Sequence, residues 1–160
     1  MKFEKFLKSV GAYGRVFERT NGDKWLVCDG VGMKIPTGVL ELLGGGKVDH
    51  DMGKAVITAV ITADTADDVL HLSKAVLFDR DGKSGDIVRV FETELDIELE
   101  THKVGIWNKD YGLLEKKDIL TYLEIEDYPD EHGNVETLKY IVVLNEKGET
   151  IGFIHGTHNI

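Results

Sequence analysis

Clustered carboxylates are the first residues in this sequence that could do chemistry. Asp79, Asp81 and Asp86 fall within the run Asp79-Arg80-Asp81-Gly82-Lys83-Ser84-Gly85-Asp86, and hard cations such as calcium are held by carboxylate oxygens on a tightly turning backbone. Counting Asp79 as the first position, an EF-hand loop needs Gly at the sixth and Glu at the twelfth, where this chain has Ser84 and Val90. The run is therefore read as turn chemistry, with Asp79, Asp81 and Asp86 kept as the secondary candidates for a metal. Six histidines offer a second route to a metal, but zinc needs three or four ligands converging on one tetrahedral point. Only His155 with His158, or His50 between Asp49 and Asp51, are close in sequence. His155 and His158 are read as part of a frayed C-terminal end.

Nucleophilic chemistry has less to work with. Cys28 is the single cysteine, in the apolar run Trp25-Leu26-Val27-Cys28, where a cysteine usually serves as a small buried hydrophobe. One cysteine also excludes an internal disulfide and a cysteine-rich zinc site. The sequence contains no Gly-x-Ser-x-Gly elbow, no Walker phosphate loop and no Gly-x-Gly-x-x-Gly opening a helix. The acidic row Glu92, Glu94, Asp96, Glu98, Glu100 would stand about 7 Å apart along one face of a strand, twice the rise per residue. Such regularity suits a solvated sheet face better than an acid and base pair with separated pKa values.

The elements that must position these residues are mostly strands. Phe3, Phe6, Leu7 and Val10 share one helical face, predicting a short amphipathic helix over Met1 to Val10 that Gly11 ends. A helix this short is marginal in water, so it must dock, either on its own domain or on a neighbouring subunit. Arg15 to Thr20 and Trp25 to Cys28 flank Asn21-Gly22, a hairpin signal. Asp29 to Gly32 reads as a further turn, and Met33 to Ile35 before Pro36 as extended chain. A helical turn is expected over Val39 to Leu43, a buried strand over Ala55 to Ala63, and a short helix starting at Asp64 to Asp68 with Val69 and Leu72 on one side. Strands are expected over Ala75 to Phe78, Ile87 to Glu100 and Val104 to Trp107. A turn at Asn108-Lys109-Asp110 and a segment over Tyr111 to Leu114 come next, followed by a strand over Ile119 to Tyr128. A second hairpin follows, Leu138 to Leu144 and Thr150 to Ile154 around Asn145 to Glu149. This spacing predicts a mainly β, β-dominated α+β domain: an antiparallel sandwich or small barrel with a short N-terminal amphipathic helix.

The chain has 160 residues, 42% hydrophobic, with a formal net charge of −10, which suits one domain able to bury a core without staples. Residues 1–160 are thus read as a single β-rich domain, with 1–43 a subregion that residues 44–53 could hinge. Charge is uneven along it: residues 1–50 hold eight Lys and Arg against six Asp and Glu, and residues 51–160 hold 11 against 23. Most of that surface would repel a phosphate backbone, so nucleic acid is not an expected partner. No apolar run reaches the roughly 18 to 20 residues that cross a bilayer, and no secretory leader pattern opens the sequence. A cytoplasmic protein, without membrane or cofactor, is expected.

The opening Lys2-Phe3-Glu4-Lys5-Phe6-Leu7, together with Lys24 to Pro36, resembles small tailed-phage structural proteins. The resemblance covers about the first 40 residues and implies a head- or tail-associated virion component, met first in the host cytoplasm, whose partners are copies of itself or shell proteins. The expectation is therefore a non-enzymatic protein that packs against protein partners. Lys2, Phe3, Lys5, Phe6, Leu7 and Lys8 form its contact surface, aromatic anchors within a charged rim. Deleting residues 1–11 should then impair assembly and leave the fold intact, whereas unfolding would return the helix to an ordinary core role. The alternative is a small metal-dependent hydrolase or ligand-binding β-domain using the acidic loops around Asp49 to Asp51 and Asp79 to Asp86.

Overall fold

Tight turns between alternating strands set the architecture. The computed structural model describes residues 1–10, 13–18, 22–36, 70–72, 76–79, 87–93, 102–126 and 129–157. Strands β1 (Arg15–Glu18) and β2 (Lys24–Cys28) form the first hairpin. Asp29 and Gly30 then turn the chain at once into β3 (Val31–Lys34), with φ of 49° and 79° and Cys28 opposite Val31. Positive φ at both central residues gives the twist that neighbouring strands require, and Asp-Gly supplies it. The turn expected over Asp29 to Gly32 is thus present, confined to the two residues Asp29 and Gly30.

The remaining strands are β4 (Leu70–His71), β5 (Val76–Asp79), β6 (Ile87–Glu92), β7 (Lys103–Trp107), β8 (Ile119–Glu126), β9 (Thr137–Leu144) and β10 (Thr150–His155). Seven of the ten described strands make one antiparallel sheet in the order β1-β2-β3-β10-β9-β8-β4; β5, β6 and β7 make a second. Among the described residues no pairing of β1 with β4 closes the larger sheet, so the fold is sandwich-like and not a barrel. Its central junction joins distant sequence: Met33, Gly32 and Val31 stand opposite Gly152, Phe153 and Ile154.

Both faces of the large sheet are buried. One packs Val16, Leu26, Met33, Ile141, Val143 and Ile154 under the N-terminal helix α1 (Phe3–Val10) and under Phe91, Val104 and Ile106 of the small sheet. The other carries Phe17, Trp25, Val27, Leu138, Tyr140, Val142 and Phe153. After β10 the chain stitches the sheets together. The Gly156 amide donates to the Lys139 carbonyl (2.8 Å) in β9, and the Thr157 amide to Gly105 (2.7 Å) in β7.

Three expectations change. Leu70 and His71 pair with Tyr122 and Thr121 as strand, where the acidic run at 64–68 suggested a helix continuing past Val69; partners on β8 decide the backbone there. Asn108–Tyr111 is a one-turn helix, α2, not a simple turn. His155 ends β10, its amide donating to Gly30 (2.8 Å) and its ring 4.8 Å from that of Tyr140, so it is not frayed. The readings over 39–43 and 55–63, the hinge at 44–53 and the acidic row beyond Glu92 lie outside the described residues.

Candidate functional site

The amphipathic pattern of α1 forces its two sides to different fates. Phe6 is only 3% exposed and Val10 is buried with it, both inside the first core, while Phe3 and Leu7 are half-buried against that core. The helix is fixed at its start: the Lys2 amide donates to the Leu113 carbonyl (2.8 Å), and the Met1 ammonium to Asp118 Oδ1 (2.8 Å). Asp118 Oδ2 accepts the Glu115 amide at 2.8 Å, so that carboxylate is itself held. Of the expected contact surface, Phe6 is therefore committed within the chain, because its ring fills the space between α1 and the sheet. Lys2, Lys5 and Lys8 remain outside at successive helical turns, with Glu4 between them. Deleting residues 1–11 would remove core side chains, so deletion cannot separate assembly from folding here.

An acidic feature lies at the opposite end of the same sheet. Strand β8 starts beside Asp118 and the start of α1, and eight residues later, about 23 Å at the usual rise, it reaches the β8–β9 connection. There Glu124, Glu126, Asp130, Glu131 and Glu136 are all exposed. The tip is built by Asp130, whose Oδ1 accepts the amides of His132 (2.8 Å) and Asn134 (2.9 Å), while its own amide donates to the Asn134 carbonyl (2.9 Å). The Asn134 and His132 donors hold the Asp130 carboxyl below its ordinary pKa and keep it anionic. Val135 on this tip is 50% exposed.

Groups able to do bond chemistry gather elsewhere, where the Asp29-Gly30 turn approaches α2. Burial, then the neighbouring Asp29 carboxylate, pushes the Cys28 thiol above its ordinary pKa, with Lys109 opposing. A thiol moved in that direction is protonated at neutral pH, which is the unreactive state. Burial likewise raises the Asp110 carboxyl, against the opposing charge of Lys109 and with help from Asp29. Asp110 escaped the sequence reading because only tertiary packing buries it. A third group joins His102, whose ring lies 5.0 Å from that of Tyr122, to the Tyr122 hydroxyl, which donates to Glu124 Oε2 (2.6 Å). Burial and that carboxylate hold the Tyr122 phenol above its ordinary value.

Among the described residues, no group of three or more His, Cys, Asp or Glu side chains could hold a metal ion. Asp81 and Asp86 lie outside those residues, as do His50 and His158, and of Asp79 only the backbone at the end of β5 is described. Glu92, the one member of the acidic row within them, is exposed and pairs with Lys103 at 3.2 Å. No described helix is long and apolar enough to cross a membrane. Comparison with protein-family models, curated proteins and solved structures gives no match, so the phage resemblance gains neither support nor contradiction from them.

Proposed function

We propose that this chain is a non-enzymatic structural protein that works by packing against other copies of itself or shell proteins. The observation that carries this reading is a pair of exposed features of opposite charge, Lys2, Lys5 and Lys8 in and just before α1 and the carboxylates of the β8–β9 tip. Complementary charge on two separate features of one chain favours head-to-tail contacts between copies, which close into rings or run on as filaments. The raised pKa of the Cys28 thiol agrees with a protein that does not use it as a nucleophile. The resemblance of residues 2–7 and 24–36 to tailed-phage structural proteins fits such an assembly, one that enters a virion head or tail from the host cytoplasm.

Sedimentation velocity over a concentration series tests this. Association should be present at low ionic strength and fall at roughly 0.5 M salt, where surface charges are screened within a few Å. The triple variant Lys2→Glu, Lys5→Glu, Lys8→Glu should lose most of it while melting near the parent temperature. A chain that stays monomeric at every concentration and salt would end the proposal.

A further inference from the structure

Two aspartates near the start of α1 are buried under opposite conditions. Asp118, its side chain 1% exposed, accepts the Met1 ammonium and the Glu115 amide. Asp110 is buried too, yet no described residue donates a hydrogen bond to its carboxyl; only its backbone carbonyl is engaged, by the Leu113 amide at 3.0 Å. A buried carboxylate without a donor costs far more than the neutral acid. The element that carries it is also the least able to resist, because a single helical turn has little stability of its own. α2 is held from outside. Arg89 of β6 donates through Nε to Asn108 Oδ1 (3.1 Å) and lies 4.5 Å over the Tyr111 ring, and Lys5 of α1 donates to the Gly112 carbonyl (3.2 Å).

We infer that α2 is a pH-sensitive latch, closed on the small sheet while Asp110 is protonated and opening locally when Asp110 ionises. The Lys2 amide and the Lys5 ammonium are bonded to Leu113 and Gly112, so opening also loosens the start of α1. This stands independently of the assembly reading. Among the described residues the charged and titratable groups around α2 are Cys28 and Asp29 on the β2–β3 turn, His155 against Gly30, Arg89 on β6, Lys5 on α1 and Lys109 on α2 itself. β7, which runs into α2, adds only Lys103 at its far end, paired with Glu92. Burial raises the Asp110 carboxyl, Lys109 lowers it and Asp29 raises it, with a net upward shift in the closed form. Opening returns the group to water and its ordinary 3.8. Below 3.8 both forms are protonated and opening is independent of pH. Between 3.8 and the raised value only the open form ionises, so each pH unit should increase opening by up to about tenfold; above the raised value the increase stops.

Amide hydrogen exchange on the full chain, followed from about pH 3 to 7 with the intrinsic rates divided out, reads this opening residue by residue. The amides of Gly112, Leu113 and Leu114, and that of Lys2, should lose protection through the window above 3.8, while those of Ile141 and Val142 in β9 keep theirs. Asp110→Asn should flatten the response. Asp29→Asn keeps Asp110 but removes the carboxylate that opposes its charge, and asparagine accepts the positive φ at that position. It should narrow the window and cut the total loss of protection at least twofold, which decides the matter even where Asp110→Asn fails to fold. Protection at α2 that is constant with pH in the parent, or that falls equally in Asp110→Asn, would overturn the latch. A loss shared by the β9 amides would overturn it too, since the whole fold would then be opening.

Discussion

The two faces of the seven-stranded sheet are buried alike but made differently. The first is mostly aliphatic and is closed by α1 and the small sheet, elements that lie far apart in sequence. The second brings rings together on the strands themselves: Trp25 stacks on Phe153 with centroids 6.0 Å apart, and Tyr140 meets Phe153 edge-on at 6.1 Å. Aliphatic packing tolerates adjustment, whereas ring pairs carry a preferred geometry in addition to buried area. The first face should therefore yield to substitutions that the second resists.

Phe153→Ala offers the largest test. It removes the ring shared by both aromatic pairs and should cost about 3 to 5 kcal/mol, read as a lower urea midpoint at unchanged m-value. A loss below that of Ile154→Ala, its neighbour on the aliphatic face, would break the comparison. Glycines sharpen it further, because each face has a side chain lying directly over one. A Cβ at Gly32 would enter the Phe153 ring, and a Cβ at Gly152 would meet the Met1 thioether. Gly32→Ala should cost about 1 to 3 kcal/mol because the ring is held on both sides. Gly152→Ala should cost less, since a thioether swings away, although the Gly32 carbonyl 3.0 Å from that Cβ also resists it.

These contrasts also mark what the sequence could reveal. Local signals were legible: the apolar spacing of Phe3, Phe6, Leu7 and Val10, the turns flanking β1 and β2, and the alternation that leaves Phe91 and Thr93 buried and Glu92 exposed. The β9–β10 hairpin was legible too, its loop closed by Asn145 Oδ1 accepting the amides of Lys147 (3.0 Å) and Glu149 (2.9 Å). What stayed hidden depends on residues distant in sequence. Nothing near Val31 announces Ile154 as its partner, and nothing near Leu70 announces Tyr122. The candidate contact was half legible. The exposed Lys5 and Lys8 of α1 follow from helical spacing, but the commitment of Phe6 to the core and the acidic β8–β9 tip both require the strand order.

A pH experiment reads α2, which flanks the aliphatic side. Burial raises the Asp110 carboxyl above its ordinary 3.8, so the folded protein holds this proton more tightly than the unfolded chain. As pH climbs from 3.8 through the raised value, the unfolded state ionises first and stability falls; below 3.8 both states are protonated and the group contributes nothing. Asp110→Asn should remove that slope and leave the protein more stable at neutral pH, measured by urea unfolding at several pH values. An unchanged slope would mean that folding does not raise the Asp110 carboxyl.

The smallest effects come from two threonines on the aromatic face. Thr121 and Thr150 are both buried, at 2% and 5% exposure, yet they differ in one respect. The Thr121 hydroxyl donates to the Val142 carbonyl at 2.8 Å, while Thr150 Oγ1 has no partner among the described residues. Valine has nearly the same shape, so substitution isolates the hydroxyl. Thr121→Val gives up a hydrogen bond and should cost about 1 kcal/mol. Thr150→Val removes a buried oxygen that folding takes from water without compensation, so it should stabilise the protein, by at most about 1 kcal/mol. Opposite signs from the same substitution in one sheet would place the difference in hydrogen bonding rather than in β-propensity, which favours valine equally at both sites.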